Sequence, residues 1–349
     1  MALTSRERIL CAIQLGTPDR VPVTPWGLGR IPEESELGQR LIRECDPFIG
    51  AGVGGGDWFI GTAASSRSEK QGDVTWNILQ TPKGELRSAR RSTSVTSAQI
   101  VFPCKSADDI ETLLSIPYEP PVVDTSAFIA RKDQIGEDGL VGAGTGNPGS
   151  IPARYFSPED YSLLWADDRE AFIELVRVAA ERFYPWLDEC CRQGVDCWRV
   201  IGGEFASTQL GPEGFDRTML DFDRTMADIM HEHGALCHYH NHGPMRRFLQ
   251  SIADIGVDSL DPIEGPPWGD VTLAEAKATI GDRVCLVGNL DDMEVIDKVD
   301  GDTIEQLAED AILQAGPDGF CLGGTTSGTF TEHAGHNFLR MLEVSKRMA

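Results

Sequence analysis

The densest group of side chains that could do chemistry lies between positions 237 and 243. The run reads Cys-His-Tyr-His-Asn-His-Gly, and with His233 it holds four of the seven histidines of the chain. Because side chains alternate between the two faces of a strand, His238, His240 and His242 should point the same way. Imidazoles two residues apart, such as His240 and His242, can both reach one divalent ion at about 2.0–2.1 Å. The spacing predicts a metal-binding pair, although the same histidines could line an organic-substrate pocket without a metal.

A two-histidine unit needs at least one more ligand, and two glutamates stand at the ends of neighbouring predicted strands. Glu204 follows a Gly-Gly pair, and Glu264 follows Pro-Ile. Either carboxylate would complete the two-histidine, one-carboxylate set of catalytic zinc sites and leave a position open for substrate. The predicted metal ligands are His240, His242, Glu204 and Glu264, and the predicted catalytic residues are Glu204 and His240. Alternatively, the glutamates are helix-terminal or salt-bridging residues.

These residues need a scaffold, and short apolar runs alternate with amphipathic stretches, as is typical of repeated βα units. Eight candidate strands are present, the number of a closed barrel. They are Arg20–Pro25, Asp57–Ala63, Leu140–Ala143, Cys197–Gly202, Ala235–His242, Val257–Ile263, Arg283–Gly288 and Gly319–Gly323. The predicted later helices are Asp167–Gln193, Pro212–His233, Pro244–Ile255, Thr272–Ile280 and Thr303–Gln314. We therefore predict an α/β fold, a single (β/α)8 TIM barrel with its active site at the C-terminal mouth.

One stretch between the second and third candidate strands departs from this rhythm. Residues 73–101 place a Thr-Pro-Lys-Gly turn between β-rich flanks, which predicts an inserted β-hairpin that forms a lid or rim. Near the start of the chain, Thr4 and Glu7 have the spacing of a capping box, so a first helix is expected there. No repeat or linker divides the sequence, and we expect one domain over residues 1–349.

Composition limits the classes of partner. The chain has 31 basic and 55 acidic residues, for a net charge of −24, and such a charge repels nucleic acid and anionic membrane surfaces. The nine cysteines are scattered without a C-x-x-C pattern, so a disulfide framework is not expected. The first residues form no apolar segment and no long apolar run follows, which predicts a protein of the reducing cytoplasm.

Several stretches resemble the uroporphyrinogen decarboxylase superfamily. Residues 3–8 and 18–23, which read Leu-Thr-Ser-Arg-Glu-Arg and Pro-Asp-Arg-Val-Pro-Val, are similar to the start of its members. Residues 260–270 and 277–289 are similar to the family's penultimate strands and their Gly-Asn ending. The resemblance implies a barrel and, from the habit of relatives, a homodimer. It does not choose between porphyrinogen decarboxylases and corrinoid-dependent methyltransferases, because one fold hosts both activities.

The resemblance is closer to the methyltransferase branch. Decarboxylases of the family carry R-Q-A-G-R near the first strand, and residues 26–30 keep only the closing Gly-Arg, although a tetracarboxylate porphyrinogen needs such cationic anchors. The methyltransferases bind zinc through H-x-C-G on the fifth strand, and this motif matches residues 240–243 with His242 in place of cysteine. Residues 323–328 have no cysteine where the family's third ligand would stand.

Imidazole and carboxylate ligands leave a harder Lewis acid than thiolates do, and such a metal favours oxygen. We therefore predict a zinc-dependent methyltransferase that moves a methyl group from an O-methyl substrate, such as a methoxylated aromatic, to the cobalt of a corrinoid protein. Zinc and a partner-supplied corrinoid (cobalamin) are the predicted cofactors. The alternatives are a decarboxylase-like lyase acting on an organic acid, a methyltransferase from methylcorrinoid to a thiol or tetrahydrofolate, and a non-catalytic or unrelated metal-binding barrel. Predicted by position to bind substrate are Trp26, Arg30, Trp58, Gln209 and Asn289.

Overall fold

The computed structural model describes residues 2–93, 96–325 and 329–349. The strands of these residues are β1 (Val23–Thr24), β2 (Phe48–Ala51), β3 (Ser65–Gln71), β4 (Val74–Thr81), β5 (Gly84–Ser92), β6 (Ser97–Val101), β7 (Leu140–Gly146), β8 (Cys197–Ile201), β9 (Leu236–His240), β10 (Ser259–Asp261), β11 (Cys285–Leu290) and β12 (Phe320–Gly324). The α-helices of the same residues are α1 (Ser5–Ile13), α2 (Glu36–Glu44), α3 (Ala107–Leu114), α4 (Ser126–Ile135), α5 (Ile151–Tyr155), α6 (Pro158–Asp167), α7 (Arg169–Arg192), α8 (Gly203–Gln209), α9 (Gly211–Phe215), α10 (Asp221–Glu232), α11 (Leu249–Ile255), α12 (Leu273–Ile280), α13 (Gly301–Ala315) and α14 (Glu332–Arg347). Short turns of 3-10 or π helix occupy Pro148–Ser150, Asp216–Leu220 and Asp292–Ile296.

Parallel strands form the barrel, in the order β1, β12, β11, β10, β9, β8, β7, β2. A parallel bridge between Trp26 and Phe48 closes the seam between β1 and β2. Across this seam the N–H of Gly27 donates to the carbonyl of Phe48 at 2.7 Å, and the N–H of Phe48 donates to the carbonyl of Pro25 at 3.1 Å. The predicted (β/α)8 TIM barrel is confirmed.

The prediction for the second barrel strand is wrong. Asp57–Ala63 forms turns and bends, and the second strand is β2, which lies earlier in the chain. β2 pairs with β7 in a register that sets Phe48 opposite Leu140. It is only four residues long and half of it is buried, so it is too short to show a period of two in the sequence. The other seven predicted strands each overlap an observed barrel strand.

The predicted helices are present, with shifted ends. Pro212–His233 is divided among α9, a π turn and α10, and Pro244–Ile255 is helical only over α11. Among the described residues, no helix combines the length and apolar character required to span a bilayer.

Helix α1 fills the N-terminal end of the barrel. Thr4 and Glu7 form the predicted capping box at its start. Ile9, Ala12 and Ile13 pack in one cluster with barrel residues Phe48, Leu140, Cys197, Cys285 and Cys321. Because apolar side chains fill this end, the polar interior is left to the C-terminal mouth, where barrels of this type place their sites.

The segment between β2 and β7 carries an antiparallel sheet in the order β3, β4, β5, β6. Its central hairpin pairs Thr81 with Gly84, which confirms the hairpin predicted within residues 73–101, of which 94 and 95 lie outside the described residues. The sheet begins at Ser65, before the predicted boundary. Leu86 anchors it in a cluster that includes Phe59 and Tyr155. Since the insertion follows β2, it stands on the mouth side of the barrel.

Candidate functional site

Three neighbouring strands place a row of polar side chains in the interior of the barrel. The register sets Arg199 of β8 opposite His238 of β9, and His240 of β9 opposite Asp261 of β10. Residues that face each other across parallel strands share a face of the sheet, and residues two apart on one strand do too. All four side chains therefore lie on the inner face, with His240 and Asp261 at the C-terminal ends of their strands.

Asp261 lies at the centre of this row and is fully buried. Its Oδ2 lies 2.9 Å from Nδ1 of His240, and its Oδ1 lies 2.7 Å from Nε2 of His238. Burial raises the pKa of Asp261, but the charges and hydrogen bonds of His240 and His238 outweigh burial and hold this pKa well below its usual value. Because an ionised carboxylate can only accept, Nδ1 of His240 must carry a proton when it bonds Asp261.

Arg199 closes the row on the other side. One guanidinium nitrogen lies 2.9 Å from Nδ1 of His240, and the same nitrogen lies 3.8 Å from Asp261. The guanidinium carbon sits 4.4 Å from the ring centre of Trp26, a cation–π distance. Trp26 in turn stacks on the imidazole of His238 with ring centres 5.0 Å apart. The predicted substrate residue Trp26 is thus part of the wall that holds the histidines and Arg199.

His242 and Glu264 form a second histidine–carboxylate pair. Nδ1 of His242 lies 3.0 Å from Oε1 of Glu264, and Gly243 donates its N–H to Oε2 at 2.7 Å. Gly243 has φ +86°, a conformation that glycine adopts without strain. Burial lowers the pKa of His242, but its hydrogen bond with Glu264 and the charges of Glu264, Asp261 and Glu204 outweigh burial and raise it. Burial likewise raises the pKa of Glu264, but His242 and the Gly243 N–H outweigh it, so the pKa of Glu264 is lowered.

The structure brings the predicted zinc ligands together in part. The rings of His240 and His242 lie 4.5 Å apart at 89°. Each ring presents Nδ1 to a carboxylate, an arrangement that commonly orients metal-bound histidines, so the chemistry of these donors fits a divalent ion. The number of donors does not fit a complete site. Across residues 2–93, 96–325 and 329–349, no three His, Cys, Asp or Glu side chains are placed to hold one ion.

The two predicted carboxylate ligands have other partners in this arrangement. Glu264 bonds His242, as described. Glu204 lies in the first turn of α8, where its Oε2 accepts the N–H of Gly202 at 3.1 Å. A glutamate at a helix N-terminus is stabilised by the helix dipole, which was the alternative interpretation of this residue. Its charge still acts on His242, so it lies within electrostatic reach of the histidine pair.

The remaining predicted substrate residues are spread around the barrel. Asn289 is the penultimate residue of β11 and lines a cavity beside Glu264. Gln209 ends α8 and accepts a hydrogen bond from the hydroxyl of Ser162 at 3.1 Å. Arg30 is exposed. Trp58 packs on Phe183 of α7 with ring centres 4.7 Å apart. Of this set, the structure brings Trp26 and Asn289 into the mouth beside the histidines and their carboxylates.

Comparison with known families decides the relationship. The family described as Uroporphyrinogen decarboxylase (URO-D) matches residues 95–347. The chain belongs to this family. The matched segment begins within the inserted sheet and covers the strands β7 to β12, which carry Arg199, both histidine–carboxylate pairs and Asn289. No curated protein sequence shows significant similarity to this URO-D family chain.

Solved structures of other proteins resemble this chain in fold. A methyltransferase from Methanosarcina mazei superposes with a TM-score of 0.66 at 14% identity, covering 99% of the URO-D family chain and 100% of its own. A B12-independent methionine synthase from Shewanella has a TM-score of 0.44 at 9% identity, with 94% of this chain and 97% of the other covered. At these identities the first match shows a shared fold, and the second is too distant to support an argument.

Sequence reasoning missed Asp261 and Arg199 as site residues. A signal for both existed: Arg199 is a charged residue within an otherwise apolar predicted strand, and Asp261 lies within another, three residues before Glu264. A charge inside a barrel strand needs a partner, because an unpaired buried charge is costly. We also predicted that residues 323–328 supply no cysteine ligand. Of this stretch, residues 326–328 lie outside the described residues.

Proposed function

We propose that this URO-D family chain is a methyltransferase that moves a methyl group from an O-methyl small molecule, such as a methoxylated aromatic, to the cobalt of a corrinoid protein. The observation that carries the proposal is the pair of adjacent imidazoles, His240 and His242, each with Nδ1 on a carboxylate at the barrel mouth. The whole-length likeness to a fold used by a methyltransferase is consistent with it. The same proposal places the protein in the cytoplasm, with homodimer formation as a further expectation.

The reaction is an alkyl transfer with a clear balance. The O–CH3 bond breaks with its electron pair left on oxygen, and the reduced corrinoid supplies the electron pair of the new cobalt–carbon bond. The oxygen leaves as an alkoxide or phenolate and takes up a proton. The chain must therefore hold the donor with its oxygen at a site that stabilises developing negative charge. The guanidinium of Arg199, which lies 2.9 Å from Nδ1 of His240, is suited to that task.

Zinc is the metal ion in this proposal. His240 and His242 would hold the ion, with Glu204 or Glu264 as the carboxylate ligand, and an ion there would polarise the donor oxygen. Asp261 would keep the ring of His240 in place through Nδ1, as carboxylates commonly do for metal-bound histidines. Among the residues that the structure describes, fewer than three donors are placed around one point, so the zinc content of the purified protein tests this part of the proposal.

The test is a methyl-transfer assay with methoxylated aromatics and reduced cobalamin, followed by the absorbance of methylcobalamin. We expect activity in the wild type and a loss of about 100-fold or more in His240→Ala and His242→Ala. His233→Ala is the matched control, because His233 pairs with Asp188 outside the barrel. Absence of methyl transfer from every donor would overturn the proposal. Metal-free protein with full activity would remove zinc from it and leave the rest standing.

A second candidate is a lyase acting on an organic acid. One observation favours it: the guanidinium of Arg199 is held inside the barrel beside His240, where it could bind a substrate carboxylate. Release of carbon dioxide from a carboxylated substrate, abolished in Arg199→Gln and unaffected by added corrinoid, would favour this candidate over methyl transfer.

A further inference from the structure

A cavity of about 180 Å³ opens beside the second histidine–carboxylate pair. Glu264 lines the cavity and also contacts His242 at 3.0 Å. Asn289, at the C-terminal end of β11, lines it too. The cavity therefore adjoins the histidine pair at the barrel mouth. We call it the Trp268 cavity, after the tryptophan on its rim.

The Trp268 cavity has the size and surface for one aromatic ring. Trp268, Leu290 and Val295 give it apolar walls, and Trp268 is 49% exposed, so its indole face is available for stacking. A cavity of about 150 Å³ is enough to hold benzene in another protein. Stacking of the ring on an indole would add to the affinity gained by burying the ring itself.

The charges around the cavity select among aromatic ligands. Both ionisable side chains among its described lining residues are acids, Glu264 and Asp291, and neither lysine nor arginine is among them. Asp291 is held in place at the start of a π turn, where its carboxylate accepts the N–H groups of Met293 and Glu294. A carboxylate on the bound ring would lie near these two acidic side chains, and like charges brought together cost binding free energy.

We propose that the Trp268 cavity is the subsite for the ring of the methyl donor, and that it accepts uncharged methoxybenzenes and rejects methoxybenzoates. The inference rests on the proposed function, which it narrows from methoxylated aromatics in general to those without an acidic group.

Binding can be measured without catalysis, by titrating the full chain with 1,2-dimethoxybenzene or 3,4-dimethoxybenzoate in a calorimeter or by ligand-observed NMR. We expect the neutral ring to bind and the benzoate to bind at least about tenfold more weakly. Trp268→Ala should weaken the neutral ring by about tenfold or more, while Trp76→Ala, on strand β4 of the inserted sheet, should leave it unchanged. Equal affinity for both compounds, or unchanged affinity in Trp268→Ala, would overturn the proposal.

A charge variant tests the selectivity itself. Asp291→Asn retains an N-cap side chain and removes one negative charge from the wall. We expect the ratio of the neutral-ring affinity to the benzoate affinity to fall by several-fold, mainly because the benzoate binds more tightly. If the preference is as large in Asp291→Asn as in the wild type, the wall charges do not set it and the stated selectivity is wrong.

The same variants separate this inference from the proposed function. If ring binding depends on Trp268 but no methyl group is transferred to reduced cobalamin, the subsite is supported and the proposed function is contradicted. If methyl transfer occurs and the KM for the neutral donor is the same in wild type and Trp268→Ala, the function is supported and the subsite is contradicted.

Discussion

At the scale of single residues, one buried carboxylate organises the candidate site. Asp261 lies 2.9 Å from His240 and 2.7 Å from His238. A fully buried carboxylate is tolerated only when opposite charges or hydrogen bonds compensate it. These contacts therefore have a structural reason to form, and they fix the ring of His240 in the orientation in which it meets His242. Asp261 acts through the histidines and is a positioning residue.

Replacing Asp261 with asparagine keeps the shape of the side chain and removes its charge. We expect kcat for methyl transfer to fall by about 10- to 100-fold, because the imidazole of His240 loses its anchor. KM for the donor should stay nearly constant, since Asp261 does not line the Trp268 cavity. Asp258→Asn is the control, because Asp258 bonds His231. An unchanged kcat in Asp261→Asn, or an equal loss in both variants, would contradict the positioning role.

A second buried acid, Asp223, predicts how stability changes with pH. Burial raises its pKa to about 7, against hydrogen bonds from Tyr239 and Asn147 that lower it. Between the ordinary value of 3.8 and about 7, the folded chain holds a proton on Asp223 that the unfolded chain has lost. This contribution to stability is therefore fully present below the ordinary pKa and is lost as pH rises to the folded pKa, by up to about 1.4 kcal/mol per pH unit.

Urea unfolding of wild type and Asp223→Asn at a series of pH values measures this effect. The asparagine variant cannot titrate, so the difference in unfolding free energy between the two proteins should shift in favour of the variant as pH rises from about 5 to about 8. The contributions of the other titrating groups are the same in both proteins and cancel in this difference. A difference that stays flat across the series would show that Asp223 is ionised in the folded chain throughout.

The sequence predicted part of the site because the spacing of residues at a strand end is a local property. His240 ends β9 and His242 follows it, and Glu264, which follows the neighbouring β10, contacts His242. Asp261 and Arg199 were missed because the contact of each with His240 depends on the register between strands, which one sequence does not display. Trp58, like Trp26, was predicted by its position to bind substrate, but it packs on Phe183. Its predicted position assumed a strand that is not there.

At the scale of elements, strand length explains the main error in the fold. β2 has four residues and is recognised only through its pairing with β7. Residues 57–63 are more apolar, but Phe59 is buried in a cluster with helix residues such as Phe172. The inserted sheet was likewise predicted only in part. Its central hairpin carries a recognisable turn, whereas β3, Ser-Ser-Arg-Ser-Glu-Lys-Gln, is exposed along its whole length and has no apolar face to display.

The start of the barrel is tied together by Asp46, which is fully buried. Its two oxygens lie 2.6 Å from Arg8 of α1 and 2.6 Å from Arg20, and one of them accepts the N–H of Val23 of β1. Asp46 thus joins α1, β1 and the segment before β2. These arginines lie in the two stretches, 3–8 and 18–23, that resemble the start of the family, which gives that resemblance a physical reason.

Asp46→Asn should destabilise the chain by about 3–5 kcal/mol, because it leaves two buried guanidinium groups without their shared charge. The measurement is the free energy of unfolding by urea, with circular dichroism as the signal. Glu44→Gln is the matched control: Glu44 pairs with Arg40 within α2 on the surface, and such pairs contribute less than about 1 kcal/mol. Equal losses in the two variants would show that the Asp46 cluster does not act as a buried unit.

At the scale of the whole molecule, charge is distributed unevenly. The chain carries a net charge of −24. Residues 65–101, which form the inserted sheet, have six basic and three acidic side chains, so the excess of negative charge lies on the barrel. Helix α13 contributes four acidic residues and no basic one. Repulsion among these groups opposes folding and is reduced by salt.

Salt should therefore stabilise this protein even though it weakens surface ion pairs. Raising NaCl from about 10 mM to about 150 mM shortens the Debye length from about 30 Å to about 8 Å, and we expect the thermal unfolding midpoint to rise by several degrees. Glu309→Lys, an exposed substitution on α13, should raise the midpoint at low salt and reduce the response to salt. The same exchange on the basic sheet, Glu69→Lys, removes the partner of Arg67 and should give no such gain. A midpoint that falls on addition of salt, or equal effects of the two variants, would mean that local ion pairs outweigh the overall repulsion.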